Sequence, residues 1–186
     1  LASGIVTGLL SLVADNVDPL RDPRHVLLVQ ILSSAWNAGN SLTLEELIGQ
    51  LVDPPFAKVG VFPVDKFYSP DDRMKLAMQL NTLVASPTFA GWMQGQPLDV
   101  QELLYGPGDR PQVSVIYIAH LSDAERQFFL TLLLEQVVSW MRAQTGTTSL
   151  RALLYMDEMF GFLPPTANPP TKKPLLTLLK QARAFG

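Results

Sequence analysis

The chain has 186 residues, a hydrophobic content of 47% and a formal net charge of −3, which suits one domain with a buried core or one domain carrying a large insertion. The absence of cysteine excludes disulfides and thiolate metal sites and fits a reducing cytoplasm, while the scattered Lys and Arg residues give no basic nucleic-acid footprint. Polar residues interrupt every strongly apolar stretch before about 18 residues, so neither a membrane span nor a signal peptide is predicted.

Helix-start and helix-stop signals divide the first hundred residues. An apolar opening segment, Asp22 before Pro23, the capping box at Thr43 and Ser69 before Pro70 each mark a helix start, because such side chains satisfy free backbone N–H groups. The predicted helices cover residues 1–14, 22–38, 44–51, 71–84 and 98–105. A short extended piece is predicted within residues 58–67, and a short helix or turn at Trp92 and Met93.

The second and third of these helices resemble a helix-turn-helix pair. A DNA-reading pair carries cations on its second helix, where this chain has Glu45 and Glu46. A helical hairpin packed in a core is therefore the favoured interpretation.

After the turn-forming residues 106–111, the pattern changes to β-α-β. Residues 113–119 are rich in β-branched and aromatic side chains, and Ser122 opens a long, mostly apolar helix that ends near residue 144. Residues 152–157 form a second apolar run. A strand, a long helix and a strand predict a right-handed parallel crossover, with both strands in one sheet.

Two acids, Asp157 and Glu158, follow the second run directly. The carboxyl end of a buried parallel strand opens onto the crevice where ligands bind. In nucleotide hydrolases the first acid of such a pair holds Mg²⁺ and the second polarises the attacking water, an arrangement known as Walker B.

The run ending in Asp157 and Glu158, followed by Leu-Leu-Thr-Leu-Leu-Lys-Gln-Ala-Arg-Ala-Phe-Gly at residues 175–186, resembles the HerA/FtsK-type P-loop ATPases, whose relatives are described as AAA-like or helicase HerA-like. The resemblance implies an α/β, predominantly helical fold: a partial RecA-like core at residues 111–186, with a helical insertion subdomain at residues 1–110. It implies Asp157 as the Mg²⁺-associated acid, Glu158 as the catalytic acid and Arg183 as an arginine facing nucleotide.

The chain departs from this family in one respect that decides activity. It contains no Gly-x-x-x-x-Gly-Lys-Ser/Thr loop, so it lacks the backbone amides and the lysine that hold ATP phosphates. We therefore expect a fragment of an ATP-hydrolysing motor, inactive alone and binding neither ATP nor Mg²⁺ tightly. The missing initiator Met and the apolar start at Leu1 agree with an excised piece.

The resemblance also implies partners. The parent would be a cytoplasmic, hexameric DNA translocase or helicase, and the absent neighbouring strands would leave one edge of residues 152–157 open. Open edges recruit other strands, so we expect self-association. The alternative is a non-enzymatic helical protein–protein interaction module, in which the two acids merely solvate a strand end.

A third hypothesis is a metal-dependent hydrolase that uses His120 with Asp157 and Glu158. A lone His after a strand is more commonly a hydrogen-bonded cap, and two histidines cannot form a His-rich metal site. Aromatic residues beyond the acids, Phe160 and Phe162, either close the core or form a loop that points into the pore of a ring.

Overall fold

A computed structural model describes residues 1–14, 17–86, 89, 91, 97–106 and 110–186. The predictions for Trp92, Met93 and the centre of the 106–111 turn lie outside these residues. Within them, every helix is too short or too polar to span a bilayer.

The chain divides into two compact units. One contains Leu1, Ser3–Leu12 and Pro97–Gly186, and the other contains Ala2 and Val13–Gln96. The domain boundary predicted near residue 110 separates a helical insertion from an ATPase core. The two compact units do not test that division, so it stays a prediction.

The described residues are predominantly helical. The helices are α1 (Ala2–Ser11), α2 (Pro23–Asn37), α3 (Leu44–Val52), α4 (Val64–Phe67), α5 (Pro70–Ala85), α6 (Val100–Leu104), α7 (Asp123–Ala143) and α8 (Lys172–Gln181), with 3₁₀ turns at Met159–Gly161 and Ala182–Ala184. Two antiparallel pairs of two-residue strands accompany them: β1 (Lys58–Val59) with β2 (Phe62–Pro63), and β3 (Tyr105–Gly106) with β4 (Arg110–Pro111).

The helix starts in the Val13–Gln96 unit follow the caps read from the sequence. Asp22 accepts a hydrogen bond from the backbone N–H of Arg24 at 2.9 Å, and Thr43 forms a complete capping box with Glu46. Ser69 accepts from the N–H of Asp72 at 3.2 Å. The predicted helices at 22–38, 44–51 and 71–84 are confirmed to within two residues at each end.

Helix α3 packs against α2 and α5, and their apolar faces form the core of this unit. The fully buried side chains there are Leu27, Leu28, Ile31, Leu51, Leu76 and Leu80. Arg73 is also buried, and its Nη1 donates to Asp65 at 2.8 Å and to the carbonyl of Tyr68 at 2.9 Å. These bonds attach α4 to the start of α5.

Helix α7 is the centre of the other unit. Its N-terminus is a capping box in which the backbone N–H of Ser122 donates to Glu125 at 2.8 Å. Hydrogen bonds from Ser122 hold the pKa of Glu125 below its usual value. Helices α6 and α8 pack on α7 around one apolar cluster. Its buried members are Leu130, Leu133, Leu134, Val138, Met141, Leu175 and Leu178.

The predicted parallel strands are wrong for this structure. Residues 112–118 and 151–156 have no regular secondary structure, and the strands assigned among the described residues are the two short antiparallel pairs. β-Propensity depends on a neighbouring strand that satisfies the backbone, and neither segment has one. The helical half of the predicted crossover, residues 122–144, is confirmed as α7.

Candidate functional site

The two segments predicted as strands expose most of their apolar side chains. Val115 is 88% exposed and Tyr117 73%, whereas Ile116 between them is 40% exposed and Ile118 packs on the α7 and α8 cluster. Only Ile118, at the end of this segment, therefore contacts the core, and residues 113–117 are exposed.

Residues 153–155 are exposed in the same way. Leu153 and Tyr155 are 76% and 81% exposed, while Leu154 is 47% exposed and Met156 packs on the core. Residues 153–157 make no backbone-to-backbone hydrogen bond to any described residue. An apolar segment with both an open face and unpaired backbone is a strong candidate for an interaction surface.

Arg151 and Ala152, at the start of this segment, are hydrogen-bonded to Gly186. The carbonyl oxygen of Gly186 accepts from the backbone N–H groups of Arg151 at 2.6 Å and Ala152 at 3.0 Å, and Ala184 O accepts from Thr147 N–H at 3.2 Å. These bonds join the loop after α7 to the residues that follow α8.

Arg151 strengthens this junction with its side chain. Its guanidinium donates to the carbonyl of Thr145 at 2.9 Å and to that of Phe185 at 3.0 Å. Its own carbonyl accepts from the hydroxyl of Tyr105 at 3.1 Å. The start of residues 151–156 is therefore fixed from three directions, and the part that leads to the acids is open.

The two acids lie at the far end of the segment and both are exposed. The backbone N–H of Glu158 donates to Asp157 Oδ1 at 2.9 Å. Glu158 has φ 50° and ψ 55°, which is the left-handed region that non-glycine residues seldom adopt. Glu158 directly precedes the 3₁₀ turn Met159–Gly161, so its backbone conformation is tied to this turn.

Two polar side chains hold that turn in place. Gln127 of α7 donates from Nε2 to the carbonyl of Gly161 at 2.8 Å. The hydroxyl of Thr171, a fully buried residue, lies 2.9 Å from the carbonyl of Phe162 and 3.0 Å from Gln127 Oε1. Lys172 adds bonds from Nζ to the carbonyls of Pro165 and Ala167, at 3.2 and 2.8 Å.

The other residues predicted for the site do not join the acids in the described part of the chain. Arg183 is exposed in the turn Ala182–Ala184 and forms no ion pair there with Asp157 or Glu158. His120 stacks on Tyr117, with ring centroids 5.9 Å apart. No group of three or more His, Asp and Glu residues that could hold a metal ion occurs within the described ranges, so the structure does not assemble His120, Asp157 and Glu158.

Gln127 and Thr171 were not predicted as functional residues. Gln127 could have been noticed as a polar side chain on a mostly apolar helix, and Thr171 as the residue between a Pro-rich loop and α8. Neither signal indicates the partner across the fold, since residues 127 and 171 come together only when α7 and α8 pack.

Comparison of the chain with protein-family models, with curated proteins and with solved structures finds no match.

Proposed function

We propose that this chain is a piece of an ATP-hydrolysing motor of the HerA/FtsK type, with a P-loop core of which residues 113–118, α7, residues 151–158 and α8 form one part. The observation that carries the proposal is the exposure of two apolar segments that lie before and after α7 in the chain, the second of which ends in Asp157 and Glu158. In a parallel sheet with helices on both faces, the helices would cover the exposed side chains and the neighbouring strands would bond the free backbone N–H and C=O groups.

The junction at Gly186 supports the same proposal. The carbonyl of Gly186 accepts the backbone N–H groups of Arg151 and Ala152, so the residues after α8 already lie beside the start of the segment, at the end opposite the acids. In the proposed motor, the strand that continues this pairing would lie along residues 152–157, and the two carboxylates would emerge at the ligand-binding edge of the sheet. This is the arrangement that Walker B chemistry requires.

In this proposal each acid has its own role. Asp157 would bind Mg²⁺ that accompanies ATP, Glu158 would polarise the attacking water, and Arg183 would face nucleotide on its own or a neighbouring subunit. The phosphate-binding loop would come from residues outside this sequence, because the chain has no such loop. The assembled parent would be a hexamer that moves DNA.

The experiment that tests the proposal uses the longer reading frame that contains these residues. We expect Glu158→Gln to abolish ATP turnover and to leave nucleotide binding intact, and Asp157→Asn to weaken the Mg²⁺ dependence. The matched control is Glu45→Gln, which changes an exposed glutamate of α3. Unchanged turnover in Glu158→Gln, or a reading frame without a phosphate-binding loop, would refute the proposal.

The rival function is a non-enzymatic interaction module, and the same exposed segments favour it. Val115, Tyr117, Leu153 and Tyr155 present apolar surface whether or not nucleotide chemistry occurs nearby. Under either function we propose that the open edge at residues 152–157 promotes self-association by strand addition or by exchange of elements between two copies.

A further inference from the structure

The backbone conformation of Glu158 needs an explanation. Among the described residues it is the single non-glycine with a positive φ. A side chain in the left-handed region is unfavourable and persists only where the surrounding structure imposes it. The acid is exposed, so packing of its own side chain does not supply the restraint.

The restraint comes from the residues that follow it. The N–H groups of Phe162 and Leu163 both donate to the carbonyl of Met159 at 3.0 Å, which closes a compact turn directly after Glu158. Met159, Phe162 and Leu163 also pack on the α7 and α8 cluster. The carbonyl groups of Gly161 and Phe162 are the further points at which side chains hold this turn.

Gln127 and Thr171 hold both carbonyls. Gln127 donates to Gly161 O, and this orients its amide so that Oε1 faces the Thr171 hydroxyl. That hydroxyl has one proton and two acceptors within reach, Phe162 O at 2.9 Å and Gln127 Oε1 at 3.0 Å. The side chains thus link α7, the turn and the start of α8 into one hydrogen-bonded unit.

We propose that Gln127 and Thr171 are positioning residues that fix the conformation of Glu158 through the turn at residues 159–163. The inference rests on the proposed function in one respect, the role of Glu158 as the water-polarising acid. The pair does not touch the reacting atoms. It fixes the backbone from which the carboxylate extends, and misplacement of a catalytic group lowers the rate steeply.

The first experiment is NMR spectroscopy of the 186-residue chain. A positive φ gives a strong intraresidue NOE between the amide and α protons, so Glu158 reports its own conformation. The variants are Thr171→Val, which removes the hydroxyl at nearly constant volume, and Gln127→Glu, which removes the donor to Gly161. We expect both to lose the Glu158 signature and to speed amide exchange of Phe162 and Leu163 by about tenfold or more.

Two control variants separate positioning from general destabilisation. Thr171→Ser keeps the hydroxyl and should retain the signature. Thr177→Val removes a threonine hydroxyl that donates to the Lys173 carbonyl, at 3.0 Å within α8, and should also retain the signature. A persistent Glu158 signature in folded Thr171→Val and Gln127→Glu would overturn the proposal, as would its loss in Thr177→Val.

The second measurement is steady-state kinetics in the longer reading frame. Thr171→Val should lower kcat by about tenfold with little change in KM, and Thr171→Ser should restore it. Where Glu158→Gln abolishes turnover, an unchanged kcat in Thr171→Val would overturn the positioning role. Where Glu158→Gln leaves turnover unchanged, the ATPase proposal fails, and the NMR measurement, which involves no nucleotide, still decides whether the pair holds the backbone of Glu158.

Discussion

The carbonyl oxygen of Gly186 accepts a hydrogen bond from the backbone N–H of Arg151 at 2.6 Å, and the Arg151 guanidinium binds the adjacent Phe185 carbonyl at 3.0 Å. One residue therefore holds two consecutive carbonyls of the segment after α8. Gly186 has φ 85°, and a Cβ there would overlap the carbonyl of Ser149, so a side chain could not be added without disturbing the junction.

We expect the chain to self-associate in a concentration-dependent way, and Tyr155→Lys to weaken the association constant by about tenfold or more, equivalent to about 1.4 kcal/mol. The variant places a charge on the uncovered face of residues 151–156, where Tyr155 is 81% exposed. Sedimentation velocity over a concentration series measures the effect.

The control for this prediction is Leu20→Lys, because Leu20 is equally accessible at 88% exposure but lies outside both apolar segments. Its association should match that of the wild type. A strictly monomeric wild-type chain throughout the series would contradict self-association, and an equal effect of both variants would contradict the assignment of the surface.

Leu134→Ala should destabilise its unit by about 2–5 kcal/mol, because it removes a fully buried side chain from the apolar cluster and leaves a cavity. Leu179→Ala is the matched control: this leucine of α8 is 67% exposed, and its loss should cost no more than about 0.5 kcal/mol. Urea unfolding followed by circular dichroism compares the two. Similar costs would show that the α7 and α8 cluster is not the core.

Asp22→Asn should destabilise the chain by about 1 kcal/mol at neutral pH and by little in acid. Asp22 accepts hydrogen bonds from Arg24, which hold its pKa below the ordinary 3.8 in the folded state. A lowered folded pKa means that the carboxylate stabilises the fold above pH 3.8, and that this stabilisation is lost as the pH falls through the lower value.

The measurement for Asp22 is the free energy of unfolding of both proteins between pH 2 and 7. Asparagine also caps helices well, so the substitution isolates the contribution of the charge. Asp18→Asn serves as the control, since the Asp18 carboxylate is 54% exposed and 4.0 Å from Arg21. A stability difference between wild type and Asp22→Asn that stays constant over this range would contradict the assignment.

Sequence predictions succeeded where the deciding residues are close together in the chain and failed where they are far apart. Helix starts at Pro23, Leu44, Pro70 and Asp123 could be predicted because each cap is decided within a few residues. The strands could not, because a strand needs a partner that the local pattern does not contain. The predicted burial of residues 151–156 is also wrong in this structure, since Leu153, Leu154 and Tyr155 are all exposed.

The candidate site was predictable only in its acids. Asp157 and Glu158 stand out as charges after an apolar run, but the left-handed backbone of Glu158 and the contact between Gln127 and Thr171 depend on how α7 and α8 pack. A single sequence contains no signal for a contact that joins residues 44 positions apart. The roles of Asp157, Glu158 and Arg183 remain predictions.

The paired capping boxes at Thr43 and Ser122 also bear on the order of events during folding. Each closes a loop of three residues, so its entropic cost is small and its helix can nucleate while the rest of the chain is disordered. The bond from Arg151 to Gly186 joins distant positions and must wait for α8. We therefore infer that α3 and α7 are early folding nuclei, one in each unit, and that the segment leading to the acids is among the last to become ordered.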